Sequence, residues 1–190
     1  MFVDYVTLML VNMAAGLTIF SYYLYRGFDG GDPHRFVPGF AISGLVATVT
    51  GLHMCFTWPL PGPYNSAFGE TSVLLGALFL GAALCLARGW KMHALGFYAW
   101  FAGAAAAVIG IRIMSLGLTK TPTLAGIGFL LTSVPGLFLG VVIALRKFRT
   151  FRLVIAAITY IAALLWAYVG YKGIWGHMDS FGKWLPETMR

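Results

Sequence analysis

Six long apolar runs dominate the chain, and short polar or basic segments separate them. The runs cover roughly residues 5–25, 37–57, 69–87, 93–115, 123–145 and 152–171. Each is close to the ~20 residues that a helix needs to cross a hydrocarbon core of about 30 Å. The runs lack the alternation of polar and apolar positions that barrel strands show. The pattern predicts an all-α integral membrane bundle, with one transmembrane domain at 1–171 and an outward-facing aromatic tail at 172–190.

Charged residues set the predicted orientation. The chain is 59% hydrophobic and only 10% charged, whereas soluble domains carry about 25% charged residues. The connections after the first, third and fifth runs hold most of the basic residues: Arg26, Arg35, Arg88, Lys91, Arg146, Lys147, Arg149 and Arg152. Cytoplasmic loops carry such an excess. We therefore predict a multi-pass protein of the cytoplasmic membrane with both termini outside. The net charge of +7 reflects this topology and gives no reason to expect nucleic acid binding.

An internal repeat joins runs 2 and 3 to runs 4 and 5. Gly44, Gly51 and His53 match Gly103, Gly110 and Arg112 with one displacement of 59 residues. The strings 78-LFLG-81 and 137-LFLG-140 match with the same displacement. Two helices that agree on one offset predict a parallel repeat of helical hairpins about an axis normal to the membrane. Small residues on these faces allow close helix packing, within the chain, between copies or against other membrane subunits.

Ionisable residues near one end of the apolar runs form the candidate site. Such groups are costly at membrane depth and by default suggest function. We expect an outward-facing pocket beneath the proline-rich connection, with an ion pair between Glu70 and Arg112. The candidate ligand-binding residues are His53, Glu70, Arg112, Asn12, Tyr64 and Asn65. The structural alternatives are an interfacial histidine, a glutamate in the first turn of a helix that Asn65 or Ser66 caps, and an arginine that extends to the headgroups.

The cofactor of this pocket stays open from sequence. His53 is the candidate ligand for a metal, next to Met54 and Cys55. Consecutive helical residues point about 100° apart, so these three side chains cannot face one centre, which makes a metal the weaker alternative. Haem b, with His53 as an axial ligand, or a quinone would also suit a pocket in which Arg112 holds a propionate or a carbonyl.

Two polar segments at the inner end favour simpler interpretations. The stretch 29-DGGDPHR-35 is typical of a solvated turn, because no downstream Glu completes a calcium loop. The run 146-RKFRTFR-152 is interpreted as a topology determinant and then as an anionic-lipid contact.

The strings 57-TWPLPGPYN-65 and 68-FGE-70 resemble a family of small polytopic membrane proteins of archaea and bacteria, a domain of unknown function. The resemblance implies a polytopic membrane fold and supplies no catalytic residue, cofactor or substrate.

Two functions remain open from the sequence. The first is a non-catalytic or redox-accessory membrane subunit that packs with partner subunits or copies of itself and holds a haem, quinone or lipid. The alternative is a small transporter or channel in which His53, Glu70 and Arg112 form a binding site or gate. No nucleotide loop, HExxH motif or Ser/His/Asp set is present, so an enzyme is the less favoured class.

Overall fold

The computed structural model describes residues 5–180, and every regular element in that range is helical. Each of the six long helices is long and apolar enough to cross a membrane. They are α1 (Tyr5–Arg26), α2 (Val37–Thr57), α3 (Thr71–Arg88), α4 (His93–Leu116), α5 (Pro122–Ala144) and α6 (Arg149–Asp179). This architecture confirms the predicted six-span membrane bundle.

Two helix boundaries differ from those expected. α6 continues to Asp179, past the predicted end at 171, so the first part of the expected tail belongs to a transmembrane helix. The rest of that tail, 181–190, lies outside the described residues. A π-helical turn at Asn65–Glu70 leads directly into α3, so the third span begins earlier than 69.

The six helices form a closed ring. Each packs against its neighbours in the chain, and α6 packs against α1 to complete the ring. The most extensive contacts join α1 with α6, α2 with α3, and α4 with α5. The start of α1 meets the end of α6, where Thr7 Oγ1 lies 3.3 Å from His177 Nδ1. The described part of the chain therefore begins and ends at one end of the bundle. We call this the outer end, following the predicted orientation.

The two central hairpins pack in the same way. A Cβ on Gly44 would lie 2.7 Å from a backbone nitrogen of α3, and a Cβ on Gly103 would lie 2.7 Å from a backbone nitrogen of α5. α2 and α4 both end at a left-handed residue, Trp58 (φ 47°) and Gly117 (φ 63°), and these two positions are also 59 apart. Equivalent close approaches and equivalent helix ends support the predicted repeat.

The glycine faces are therefore occupied within the chain. Gly51 approaches the carbonyl oxygen of Gly69, and Gly110 approaches that of Gly126. Small residues bring the backbones of each hairpin together, as in other membrane helix pairs. The alternative that these faces pack against another copy or subunit is wrong, because α3 and α5 already cover them.

A buried arginine joins α6 to the connection after α1 at the inner end of the ring. The guanidinium group of Arg152, at the start of α6, pairs with the carboxylate of Asp29 in the connection after α1, and its side chain is only 3% exposed. Its Cζ atom also lies 5.5 Å from the centre of the Phe28 ring. The hydrogen bond from Arg152 lowers the pKa of Asp29 below its usual range. Asp29 lies in an exposed turn, as expected, and its ion pair with Arg152 adds a structural role that the interpretation as a solvated turn did not include. Asp32 caps a short 3-10 helix through the His34 amide at 2.9 Å.

Candidate functional site

A cavity of about 90 Å³ lies inside the helical ring. On α1 its lining extends from Met9 near the outer end to Tyr23 near the inner end. With a rise of 1.5 Å per residue, this stretch covers about 21 Å along the bundle. α2, α3, α4 and α5 line the other sides. The cavity is therefore elongated along the axis of the bundle.

Aromatic rings line both halves of this cavity. In the inner half, Phe20, Phe40 and Phe79 contact one another edge to face, with ring centres 5.3–6.3 Å apart. In the outer half, Phe68 and Phe129 lie 5.6 Å apart, centre to centre. Edge-to-face packing of this kind favours a defined arrangement of rings. The two sets of rings narrow the cavity in its inner and outer halves.

The lining is almost entirely apolar. None of the residues that surround the cavity, all within 5–180, carries a charge. Four of them carry a hydroxyl group: Tyr23, Thr71, Ser72 and Thr132. Thr132 lies on α5, near the middle of the bundle, where the indole N–H of the buried Trp166 donates to its Oγ1 at 2.8 Å. A cavity of this composition suits small uncharged molecules better than ions.

The three ionisable residues of the predicted site lie outside the cavity lining. His53, Glu70 and Arg112 all have exposed side chains. The predicted ion pair of Glu70 with Arg112 is not formed. Among the described residues, the arginine that pairs with a carboxylate is Arg152, and its partner is Asp29. Arg112 Nη1 lies 3.4 Å from Ser115 Oγ on its own helix instead.

The other three predicted residues connect structural elements. The Asn12 side chain donates to the Ser43 carbonyl oxygen at 2.9 Å and joins α1 to α2. The Tyr64 hydroxyl accepts from the Thr119 amide at 3.1 Å and joins the two outer loops. These contacts fix the loops around the outer end of the ring. They give no direct evidence for ligand binding.

Asn65 is fully buried, and its side chain accepts from the Leu60 amide at 3.0 Å. It therefore closes the proline-rich loop. The expected helix cap is wrong, because the helix begins with a π turn that contains Asn65 and directs its amide back to the loop.

No group of three or more His, Cys, Asp or Glu side chains among residues 5–180 could hold a metal ion. The pocket that sequence predicted for a haem or quinone is also not the cavity that the helices enclose. Residues 1–180 match the sequence model of a family described as DUF981, proteins of unknown function. The chain belongs to this family. The family resemblance expected from the proline-rich segment is thereby confirmed, although the match rests on residues 1–180 together and does not test that motif.

Among solved structures, this DUF981 chain is similar to the cryo-EM structure of the Helicobacter pylori urea channel in a closed state, with a TM-score of 0.72. The match covers 90% of this chain and 98% of the channel chain at 17% sequence identity. At this identity the likeness establishes a shared fold. No curated protein sequence matches the chain.

Sequence reasoning missed the cavity of this DUF981 chain. The signal that could have found it is a set of aromatic residues in the inner halves of three spans, namely Phe20, Tyr23, Phe40 and Phe79. These residues resemble lipid-facing ones in a hydropathy plot. Only the packing of the helices shows that they meet inside the ring.

Proposed function

We propose that the protein is a channel that conducts small uncharged solutes through the central cavity. The observation that carries this proposal is the elongated cavity inside the ring, whose lining within the described chain holds no charge. The shared fold with a channel for urea supports the same function. The redox-accessory interpretation has no comparable support, and the fold favours the channel alternative.

Electrostatics favours neutral solutes in this path. An ion that enters a low-dielectric cavity loses hydration, and fixed charges or rings of carbonyl groups must replace it. The lining offers four hydroxyl groups and otherwise apolar side chains. A neutral molecule loses much less hydration free energy. The protein should therefore pass solutes such as urea and exclude sodium, potassium and chloride.

A leucine at Ala102 tests this path. Ala102 lies on the cavity side of α4, and leucine adds three carbon atoms at that point. We expect Ala102→Leu to reduce urea flux into proteoliposomes by roughly tenfold or more, because overpacking fills a space that the surroundings cannot enlarge. Stopped-flow light scattering after an osmotic step measures this flux.

The matched control is Ala157→Leu. Ala157 is exposed on α6, and both alanines lie roughly two to three turns from the inner ends of their helices. This variant should keep wild-type flux. Equal fluxes in the two variants, or no flux above empty liposomes for the unmodified protein, would contradict conduction through this cavity.

A role for His53, Glu70 and Arg112 as ionisable side chains around the outer mouth of the cavity stays a proposal. Glu70 directly precedes Thr71, which lines the cavity. We expect Arg112→Leu to leave urea flux within roughly twofold of wild type, because an exposed arginine near a helix end commonly reaches the headgroups. The same liposome assay measures this. A flux lost in Arg112→Leu, with normal yield of folded protein, would instead place Arg112 at a binding site or gate.

The membrane and the assembly are also proposals. Basic connections at the inner end support insertion in the cytoplasmic membrane. Exposed apolar side chains on α2 and α4, such as Ile42, Phe56 and Phe101, provide surfaces for lipid, for a second copy or for other membrane subunits. Crosslinking of the protein in native membranes would separate these alternatives.

A further inference from the structure

The hydroxyl group of Thr132 has a fixed direction. Thr132 Oγ1 lies 2.8 Å from the Gly128 carbonyl oxygen and 2.8 Å from Trp166 Nε1. A carbonyl oxygen only accepts, and an indole N–H only donates. Thr132 must therefore donate its single proton to Gly128 and accept from Trp166. The Thr132 hydroxyl can form one further hydrogen bond, as an acceptor through its remaining lone pair.

The hydroxyl groups at the two ends of the cavity are also engaged as donors. Thr71 Oγ1 donates to the Ala67 carbonyl oxygen, one turn earlier. The Tyr23 hydroxyl lies 3.8 Å from the sulfur of Met92, which is a weak acceptor and has no proton to give. Each of these hydroxyl oxygens can still accept. Ser72, beside Thr71, also lines the cavity and marks the outer entrance.

We propose that the cavity selects small neutral solutes that carry N–H groups, as amides and ureas do, over solutes that only accept hydrogen bonds. This inference rests on the proposed channel function and names its substrate class. The polar atoms from Thr71 through Thr132 to Tyr23 offer acceptor positions along the path. A solute with N–H donors finds partners there, whereas an acceptor-only solute can form no hydrogen bond with the oxygens of Thr71, Thr132 and Tyr23, whose protons are already engaged.

A preference for N–H donors can be distinguished experimentally from simple partition of solutes into an apolar cavity. In a cavity without acceptors, every N–H group adds a desolvation penalty, so solutes with fewer donors enter more easily. Acceptors placed along the cavity reverse that order, because a polar site rejects the analogue that lacks the matching group. The order of permeation therefore shows which kind of cavity the protein has.

Three isomeric amides test this order at constant composition. Propionamide, N-methylacetamide and N,N-dimethylformamide share one molecular formula and carry two, one and no N–H groups. Proteoliposomes of saturated lipid with wild-type protein are compared with empty liposomes by stopped-flow light scattering. We expect protein-mediated permeability to fall in that order, with propionamide roughly tenfold above N,N-dimethylformamide.

Substitutions at Thr132 assign the preference to its oxygen. Thr132→Val combined with Trp166→Phe removes the acceptor and its donor together, which avoids leaving a buried indole unpaired. This pair should reduce the ratio of the two permeabilities to near one or reverse it. Thr132→Ser should keep the wild-type order. Thr18→Val is the matched control, because Thr18 makes the same bond to the carbonyl one turn earlier, at 2.8 Å, outside the cavity lining.

The outcomes separate the inference from the function on which it rests. Protein-mediated flux of all three amides without the expected order, or an order that the Thr132 pair leaves unchanged, overturns the donor preference and leaves the channel intact. Absence of protein-mediated flux for all three amides and for urea overturns the channel itself.

Discussion

Gly103→Ala is expected to destabilise the protein by about 1–3 kcal/mol, the usual range for overpacking a filled interior. The new methyl carbon would lie 2.7 Å from the backbone nitrogen of Leu137 and 2.8 Å from the carbonyl oxygen of Ser133. Backbone atoms cannot rotate away as a side chain can. α4 and α5 would have to separate, and their contact is among the most extensive in the ring. Unfolding of purified protein in mixed micelles measures the change.

Gly140→Ala is the control on the facing helix. A methyl carbon at Gly140 would lie 3.8 Å from its nearest neighbours on Gly96, which is ordinary van der Waals contact. Alanine also favours a helix over glycine by roughly 0.5–1 kcal/mol. This variant should be as stable as wild type or slightly more so. The repeat further predicts that Gly44→Ala behaves like Gly103→Ala. Equal stabilities for Gly103→Ala and Gly140→Ala would contradict the close approach.

The sequence was sufficient for the number of spans, because the length of an apolar run is set by membrane thickness. It also identified the repeat, because glycine spacing records where two backbones meet. Gly44 and Gly103 show this most clearly: each meets a backbone nitrogen of the next helix at 2.7 Å. Run length and glycine spacing are both properties of short sequence segments, so they can be read without knowing the fold.

The cavity could not be predicted in the same way. In a soluble protein the apolar face of a helix points inward, but in a membrane both lipid and protein interior accept apolar side chains. Phe79 is buried and lines the cavity, whereas Phe101 is exposed, and hydropathy treats them alike. Attention to ionisable residues instead led to His53, Glu70 and Arg112, which lie outside the cavity.

The inner ion pair escaped sequence reasoning for a related reason. Arg152 belongs to a basic run that topology alone explains, and Asp29 lies 123 positions earlier in the chain. Nothing local distinguishes Arg152 from exposed Arg149. The fold makes the difference by burying one of them, and buried charges require partners.

Asp29→Asn is expected to destabilise the protein clearly, because it leaves the buried Arg152 guanidinium without its countercharge. Arg152 Nε already has no hydrogen-bond partner among the described residues. The buried guanidinium charge therefore has few other polar contacts to stabilise it. Arg152→Met should cost less, since an apolar side chain replaces the buried charge and Asp29, which is 34% exposed, can be hydrated. Thermal unfolding in detergent should therefore rank Asp29→Asn below Arg152→Met.

The same pair predicts the acid dependence of stability. Arg152 lowers the pKa of Asp29 in the folded protein from its ordinary value of 3.8. A carboxyl group whose pKa is lowered in the folded state binds fewer protons there than in the unfolded state. Its contribution to the free energy of unfolding is therefore present at neutral pH and is lost as the pH falls below about 4. Asp29→Asn should lack this part of the acid sensitivity. Asp32→Asn is the matched control, because asparagine also caps helices and Asp32 forms no ion pair in the described chain. A wild-type acid profile in Asp29→Asn would show that other carboxyl groups carry the acid dependence.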